Sequence, residues 1–427
     1  MSNSNKLKNL IVFSVLFFGL FYFAKISQAA TTYEVKDATS ANVQAAINKC
    51  VDGDSVYMND DAASWSSDVT ITGKAITLYG RSADYKGGST FTTITSSGGR
   101  LILTNLGKKQ TVVKDFKIIG SGNLIQTSGT QSQFRVTNIL INWSGGYGIE
   151  IYNSISNYGC WDNLRFDGST GSGVYIHGGG TPAAYALDSI LGTGNVNIFE
   201  DCVWTRTAYA GGSHGVWSTD GGSYVVRYSD LTNWDLDVHG HCSGGGSREF
   251  EIYHNNFYYA GSEFGTNGRI VIRGGSGLIY DNNFSAASAG DYGWYLQEVT
   301  WGTHCNEAVG GGYCHCFSKD DYPCLYQIGR GKNNTSQKAW YWNNKTNGAY
   351  VSIGNWPNNS VIDCADGEPQ STFVQEGRDY DDFETYAEAV AAGLSYTPYT
   401  YPHPLRAEAA PPADTTPPSP PTNVSVI

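Results

Sequence analysis

The chain has 427 residues, with 27 Lys and Arg against 39 Asp and Glu and a formal charge of −12; it holds 52 Gly, 29 Tyr and 11 Trp. A chain this acidic lacks the basic surface that non-specific phosphate binding needs, which excludes nucleic acid as a partner; it would also repel a polyanion unless a local basic cluster or a bound cation overrides the field. Sparse charge combined with abundant glycine and aromatic residues describes an exported, all-β, loop-rich protein, of a kind that often handles sugars.

In chain order, Lys6 and Lys8 lead into an apolar run from Leu10 to Ala24, and the small residues Ser27, Ala29 and Ala30 follow. That order predicts a cleaved secretory signal peptide over residues 1–30, since the apolar run falls short of the ~20 residues of a spanning helix. The protein is therefore expected outside the cytoplasm, secreted or on the cell surface (extracellular or periplasmic), with no membrane contact after cleavage. Removing residues 1–30 takes away Lys6, Lys8 and Lys25 and no acid, so −12 becomes −15. In that compartment the nine cysteines (50, 160, 202, 242, 305, 314, 316, 324 and 364) read as disulfides by default, and the odd count leaves at least one outside such pairs or bonded to another chain. Cys305, Cys314, Cys316 and Cys324 crowd one loop beside His304 and His315; their spacing matches no common zinc pattern, so a disulfide-stapled loop is expected.

Next comes "SANVQAAINKC", with Val43, Ala46, Ile47 and Cys50 at helical spacing, followed by "GDSVYM" and "KAITLYG". A helix that caps the open end of a solenoid reads this way, because terminal repeats must hide an exposed core. Six short runs then repeat: "FRVTNI", "GCWDNL", "IFEDCV", "VRYSDL", "IYHNNF" and "IYDNNF". Aligned without gaps, their fourth positions are Thr137, Asp162, Asp201, Ser229, Asn255 and Asn282, in steps of 25, 39, 28, 26 and 27 residues. The long step holds a Gly/Ala-rich insert from Gly178 to Asn195. A second strand follows each run: "GIEIYN", "GVYIHG", "GVWSTDG", "DLDVHG", "RIVIRGG" and "GWYLQE". A unit this short cannot bury its own apolar face, whereas stacked units share a continuous core. Asn255 and Asn282 suit a ladder in which side-chain amides bond to neighbouring rungs. Two-residue hairpin turns, which a β-sandwich would need, are scarce. The fold class is therefore all-β, a right-handed parallel β-helix (solenoid) with an N-terminal capping helix, over residues 31–405.

The motifs "VQAAI", "GDSVYM" and "ITLYG", the pair "EIYHNNF" and "IVIRGGSGLIYDNNF", and the late "YTPYTYPHPL" together resemble the parallel β-helix proteins of the pectate-lyase-like superfamily. The resemblance implies the fold and, through it, an extracellular carbohydrate-active protein. It is specific for fold and weak for chemistry, because that fold hosts lyases, hydrolases, epimerases, adhesins and tailspikes. The pectate-lyase signatures (Trp-Ile-Asp-His and Arg-x-Pro-x-x-Arg) are absent, as is the polygalacturonase set; "SHGVW" and "RIVIR" are fragments of such patterns. No catalytic residue is carried over from either group.

Period-two alternation sorts the second strands into columns. Positions two and four point inward and are nearly all apolar. Position three gives the outward Glu150, Tyr175, Trp217, Asp237, Val271 and Tyr295; position five gives Tyr152, His177, Thr219, His239, Arg273 and Gln297. Rungs lie about 4.8 Å apart, so His239 and Arg273 are expected as neighbours beside Asp237. These three are the candidate catalytic residues. Tyr152, Tyr175, His177, Trp217, Thr219, Tyr295 and Gln297 are the candidate substrate-binding residues, the aromatic ones offering rings to sugars. In β-elimination of a uronate polymer a base removes the proton beside the carboxylate and a cation neutralises that carboxylate; Arg273 or His239 fits either role. Asp220 and Asp235, with Asp237, are candidate Ca²⁺ ligands, because calcium takes oxygen donors. Hydrolysis would need two facing carboxylates, for which Asp237 and Asp220 are the pair available. A polysaccharide lyase-like enzyme and a non-catalytic, adhesive or stalk-like β-helix both remain open. So does the partner: a polysaccharide, as substrate or ligand. On the adjoining strand Arg248, Glu249, Glu251 and His254 are read as structural, and "DYDDFETYAEAVAAG" as an acidic capping helix. Residues 406–427 form a Pro-rich linker leading into "NVSVI", the expected first strand of a truncated β-sandwich module.

Overall fold

The computed structural model describes residues 29–81, 91–206, 213–239, 247–259, 270–286, 295–296, 327–355 and 374–407. The expected signal peptide, the Pro-rich tail, His241, Gln297 and the Cys305–Cys324 loop lie outside the described residues; of Tyr295 the backbone alone is described.

The chain winds into a parallel β-helix whose coils each lay one short strand onto three parallel stacks. The first stack begins with Thr32–Val35, Ser55–Met58 and Thr77–Tyr79 and runs through Asn197–Glu200, Ser223–Arg227, Glu249–Tyr253 and Ser276–Tyr280 to Ala339–Trp342 and Tyr380–Phe383. The second includes Ala62–Trp65, Thr92–Ser96, Val203–Thr205, Asp230–Thr232, Asn256–Tyr259 and Asn283–Ala286. The third includes Val69–Thr72, Leu101–Thr104, Ile125–Ser128, Thr170–His177, Val216–Thr219, Leu236–Val238 and Ile270–Ile272. One 21-residue strand, Gln131–Ile151, bends through all three. Alternation sends every second side chain inward: in the third stack Ile149, Ile151, Val174, Ile176, Val216, Leu236, Val238, Ile270 and Ile272 are all 0% exposed. Each such side chain removed from water contributes roughly 1.5–3 kcal/mol, which is why the repeats hold together only when stacked.

The corner between the first and second stacks explains the repeat. Asp115, Asn138, Asn163, Asp201, Tyr228, His254, Asp281 and Asn343 all adopt left-handed backbone conformations, with φ between 51 and 64°. Asn and Asp tolerate that region best among residues with a side chain, hence their recurrence. The next residue turns inward and builds the expected amide ladder. Asn255 N–H donates to Asn282 Oδ1 at 3.1 Å, Asn282 Nδ2 donates to Asn344 Oδ1 at 3.0 Å, and each amide also donates to a backbone carbonyl of the preceding coil: Asn255 to Val226 and Asn282 to Ile252, both at 2.9 Å. The gapless repeat alignment is corrected here. Thr137 and Asp162 pair with Glu200, Arg227 and Tyr253 on the strand; Asp201 is a corner residue, and Ser229 and Asn255 are ladder residues. The polar run around the corner looks alike when shifted by one residue, so the alignment slips once at Asp201 and again at Ser229.

Helix α1, Ser40–Lys49, closes the N-terminal end, burying Val43 and Ile47 against the core. Helix α2, Thr181–Tyr185, lies in the Gly178–Asn195 insert. Helix α3, Tyr386–Ala391, begins at a Thr385/Glu388 capping box. The "DYDDF" segment before it is a strand and not part of the expected helix, because Tyr380–Phe383 completes the first stack on Ala339–Trp342. The remaining chain, Tyr396 to Arg406, is strapped across the outer face of the first stack. Arg227 donates to the carbonyls of Tyr399 and Thr400 at 2.7 and 2.8 Å while paired with Glu200 at 2.6 Å, and Arg406 pairs with Glu200 at 2.9 Å. Arg248, Glu249 and Glu251 have structural roles: Arg248 donates to the Leu187 carbonyl, and Glu249 and Glu251 accept from the backbone N–H groups of Ile190 and Gly192, pinning the insert. The disulfide reading is corrected for three cysteines: Cys50, Cys160 and Cys202 are buried free thiols. Cys202 joins the core, and Cys160 is buried beside Asp162 on the outer face of the first stack; burial raises both thiol pKa values and keeps them protonated.

Candidate functional site on the outer face of the third stack

The six second strands pair in the register that alternation predicts. Glu150 lies opposite Tyr175, Tyr175 opposite Trp217, Trp217 opposite Asp237, Asp237 opposite Val271 and Val271 opposite Tyr295. Position five continues alongside: His177 pairs with Thr219, His239 N–H donates to the Ser218 carbonyl at 3.1 Å, and Arg273 N–H donates to the Val238 carbonyl at 2.9 Å.

Two imidazoles, each held between two carboxylates, organise this face. The first is His177. Its Nε2 lies 3.4 Å from Glu150 and its Nδ1 lies 3.6 Å from Asp220. Burial disfavours the charged ring, but the two carboxylates outweigh it and raise the His177 pKa. Glu150 also accepts from the Tyr152 hydroxyl at 2.6 Å and from Asn123. Its own pKa is lowered, since these partners and His177 overcome the burial that would raise it. Tyr152 is pushed up to about 12 by burial and by the Glu150 bond, so it stays a proton donor near neutral pH. This cluster is accessible, with Asp220 36% and His177 21% exposed at the side chain.

The second imidazole is His214, in the turn before Val216–Thr219. Its Nδ1 donates to Asp235 Oδ2 at 3.1 Å and its Nε2 lies 3.3 Å from Asp237 Oδ2. Arg273 Nη2 reaches the same Asp237 oxygen at 2.9 Å. Burial works against charge on His214, and the carboxylates of Asp235 and Asp237 override it to raise the pKa. The carboxylates of this cluster are closed off, with the side chains of Asp235 and Asp237 2% and 0% exposed, while His214 and Arg273 keep an open edge at 12% and 13%.

Rings fill the space between the clusters. Tyr175 stacks on Trp217 at 4.5 Å, Tyr147 packs on Tyr175 at 4.4 Å, and Tyr152 stacks on His177 at 4.7 Å with 2° between planes. Trp217 also lies 5.5 Å from His239. Stacked along the rungs, these rings use their faces on one another.

The structure thus brings Asp237 and Arg273 into direct contact, with His239 on the next position of the same column. It buries Asp237, so that this carboxylate acts on its neighbours and has no open path to a substrate. Asp235, directly ahead of Leu236–Val238, is a buried partner of His214. Asp220 and Asp235 are given to different imidazoles, and among the described residues no group of three or more His, Cys, Asp or Glu side chains has the geometry to hold a metal ion. Neither His214 nor the pairing of His177 emerges from the sequence pattern. His214 precedes the strand, where alternation no longer reports direction, and its signal is only the "SHG" ahead of "VWST".

No family model matches the chain, and neither a curated protein nor a solved structure compared with it does.

Proposed function

We propose that this chain is an exported, carbohydrate-active parallel β-helix related to the pectate-lyase-like superfamily, which binds an acidic glycan along the outer face of the third stack and cleaves it by lyase-like chemistry. The observation that supports this reading is the alignment of Arg100, His177 and Arg273 on one face, each paired with a carboxylate, beside the protonated Tyr152 hydroxyl and the His239 imidazole. Elimination needs a cation at the sugar carboxylate and a base at the adjacent carbon. Arg273 serves as the neutralising cation and His239 as the base; Asp237 is the anchor of Arg273 and not a group that touches the sugar. Calcium would bind through carboxylate oxygens, and among the described residues the donors do not form a cage for it.

A second reading, a non-catalytic adhesive or stalk-like β-helix, is favoured by the ring geometry. Tyr175 and Trp217 cover each other's faces, so they strengthen the ladder and offer only edges to a sugar.

Incubating the purified chain with polygalacturonate, alginate and hyaluronan, with added Ca²⁺ and with chelator, separates the two. Unsaturated uronate ends should form on one of these polymers and vanish in Arg273→Ala and His239→Ala. Retained binding without product supports the adhesive reading, and neither binding nor product on any polymer overturns both.

A further inference from the structure

We infer that His214 is a positioning residue for Arg273: by clamping the Asp237 carboxylate from the rung before, it fixes the guanidinium that meets the carboxylate of the bound sugar. The inference rests on the proposed glycan site and adds to it a residue that touches no ligand.

The geometry is a two-sided clamp. Asp237 sits on Leu236–Val238, between the rung of Val216–Thr219 and the rung of Ile270–Ile272. Arg273 reaches its Oδ2 from the later rung at 2.9 Å, and His214 reaches the same oxygen from the earlier rung at 3.3 Å. A carboxylate held from one side alone swings about its last torsion; held from both, it has one orientation, and so has the guanidinium bound to it. His214 is itself fixed at three points. Its Nδ1 bonds Asp235, its backbone N–H donates to Ser172 Oγ at 3.1 Å, and its carbonyl accepts from Gly173 N–H at 2.8 Å. The Trp217 ring lies 5.9 Å from the imidazole.

Arg273 meets Asp237 through Nη2 as an ion pair; its Nε, like both Asp237 oxygens, is buried without a hydrogen bond, so charge holds the three groups together. A guanidinium carries five N–H donors in a rigid fork that matches a carboxylate. Held at one corner and, among the described residues, with no other partner, it suits a uronate carboxylate better than a neutral hydroxyl.

The test compares His214→Gln, His214→Asn and His214→Ala. A glutamine amide reaches as far as Nε2 and can still meet Asp237; an asparagine amide reaches only as far as Nδ1 and meets Asp235. Two readouts are taken on each folded variant: affinity for an oligogalacturonate, and modification of Arg273 by phenylglyoxal, followed by peptide mass spectrometry. His214→Asn and His214→Ala should weaken binding by roughly ten- to a hundredfold, the range of a hydrogen bond to a charged group, and speed Arg273 modification several-fold. His214→Gln should restore most of both. Equal behaviour of the Gln and Asn variants, or Arg273 modification at the wild-type rate in both, overturns the inference. If the wild-type chain binds no oligogalacturonate, the proposed function fails on that probe while Arg273 modification still decides the role of His214. If His214→Ala does not fold, the Gln and Asn pair carries the comparison.

Discussion

Glu251 shows how a buried acid sets the pH response of this fold. Its side chain is 1% exposed, and burial pushes its carboxyl up to about 7 against the hydrogen bonds from Tyr396 and the Gly192 N–H. The folded state therefore holds the proton more tightly than the unfolded chain, whose carboxyl titrates near 4.5. Stability is fully present below that lower value and is lost as pH rises through 7, by up to about 3 kcal/mol. His403 acts in the opposite sense. Burial pushes its imidazole down to about 4 from 6.5, so its contribution is complete above 6.5 and lost as pH falls through 4. Glu251→Gln keeps one of the two acceptor contacts through its amide oxygen, lets its amide nitrogen donate at the other, and removes the titration. Thermal melts should show the variant gaining on wild type between pH 5 and 8, with superimposable pH profiles as the contrary outcome. At this scale the sequence exposed the column partners Asp237, His239 and Arg273, because alternation is a local rule. It hid His214 and the Glu200–Arg227–Arg406 cluster, because a turn breaks the alternation and because Arg406 arrives from 206 positions away.

Among the elements, the corner ladder and the C-terminal strap carry the sharpest consequences. Asn282 links Asn255, Asn344 and the Ile252 carbonyl through its amide. Asn282→Ala leaves several buried polar groups without partners and should lower stability by about 2–4 kcal/mol in denaturant unfolding, beyond the effect of its lost volume. A loss under about 0.5 kcal/mol would mean the ladder adds little. The strap is held by an ion pair whose two side chains, Arg227 and Glu200, are both 0% exposed. Arg227→Met leaves the buried Glu200 carboxylate with Arg406 as its remaining cation and should cost about 3–5 kcal/mol, whereas the double change Arg227→Met, Glu200→Gln should recover part of it. No recovery in the double variant would assign the role of Arg227 to its bonds with Tyr399 and Thr400 alone. The strands themselves were legible from "DLDVHG" and its counterparts. The corner phase was not: Asn and Asp occupy both the left-handed position and the ladder position beside it, so the two columns look interchangeable until hydrogen bonds separate them. The same limit misread "DYDDF", whose acidic pattern suits a helix start but whose tyrosine and phenylalanine pack as a last rung.

For the whole molecule, repeated coils give a rigid, one-dimensional wall, and the charge along it is spent unevenly. The first stack's outer face is closed by the strap; the second is exposed, with Tyr258 at 50%. The third carries the two imidazole clamps and the guanidinium groups of Arg100 and Arg273. In a chain of net charge −12, an acidic glycan finds attraction only where such cations face it. Its binding should weaken as salt rises, an outcome that titration at two ionic strengths would check. The most direct test of the account is calorimetric titration of an oligogalacturonate into wild type, Arg273→Ala and Tyr258→Ala. The account predicts binding to wild type and Tyr258→Ala alike, with a loss of at least tenfold in Arg273→Ala. Affinity that survives Arg273→Ala, or that is lost in Tyr258→Ala instead, would contradict the placement of the glycan on the third stack.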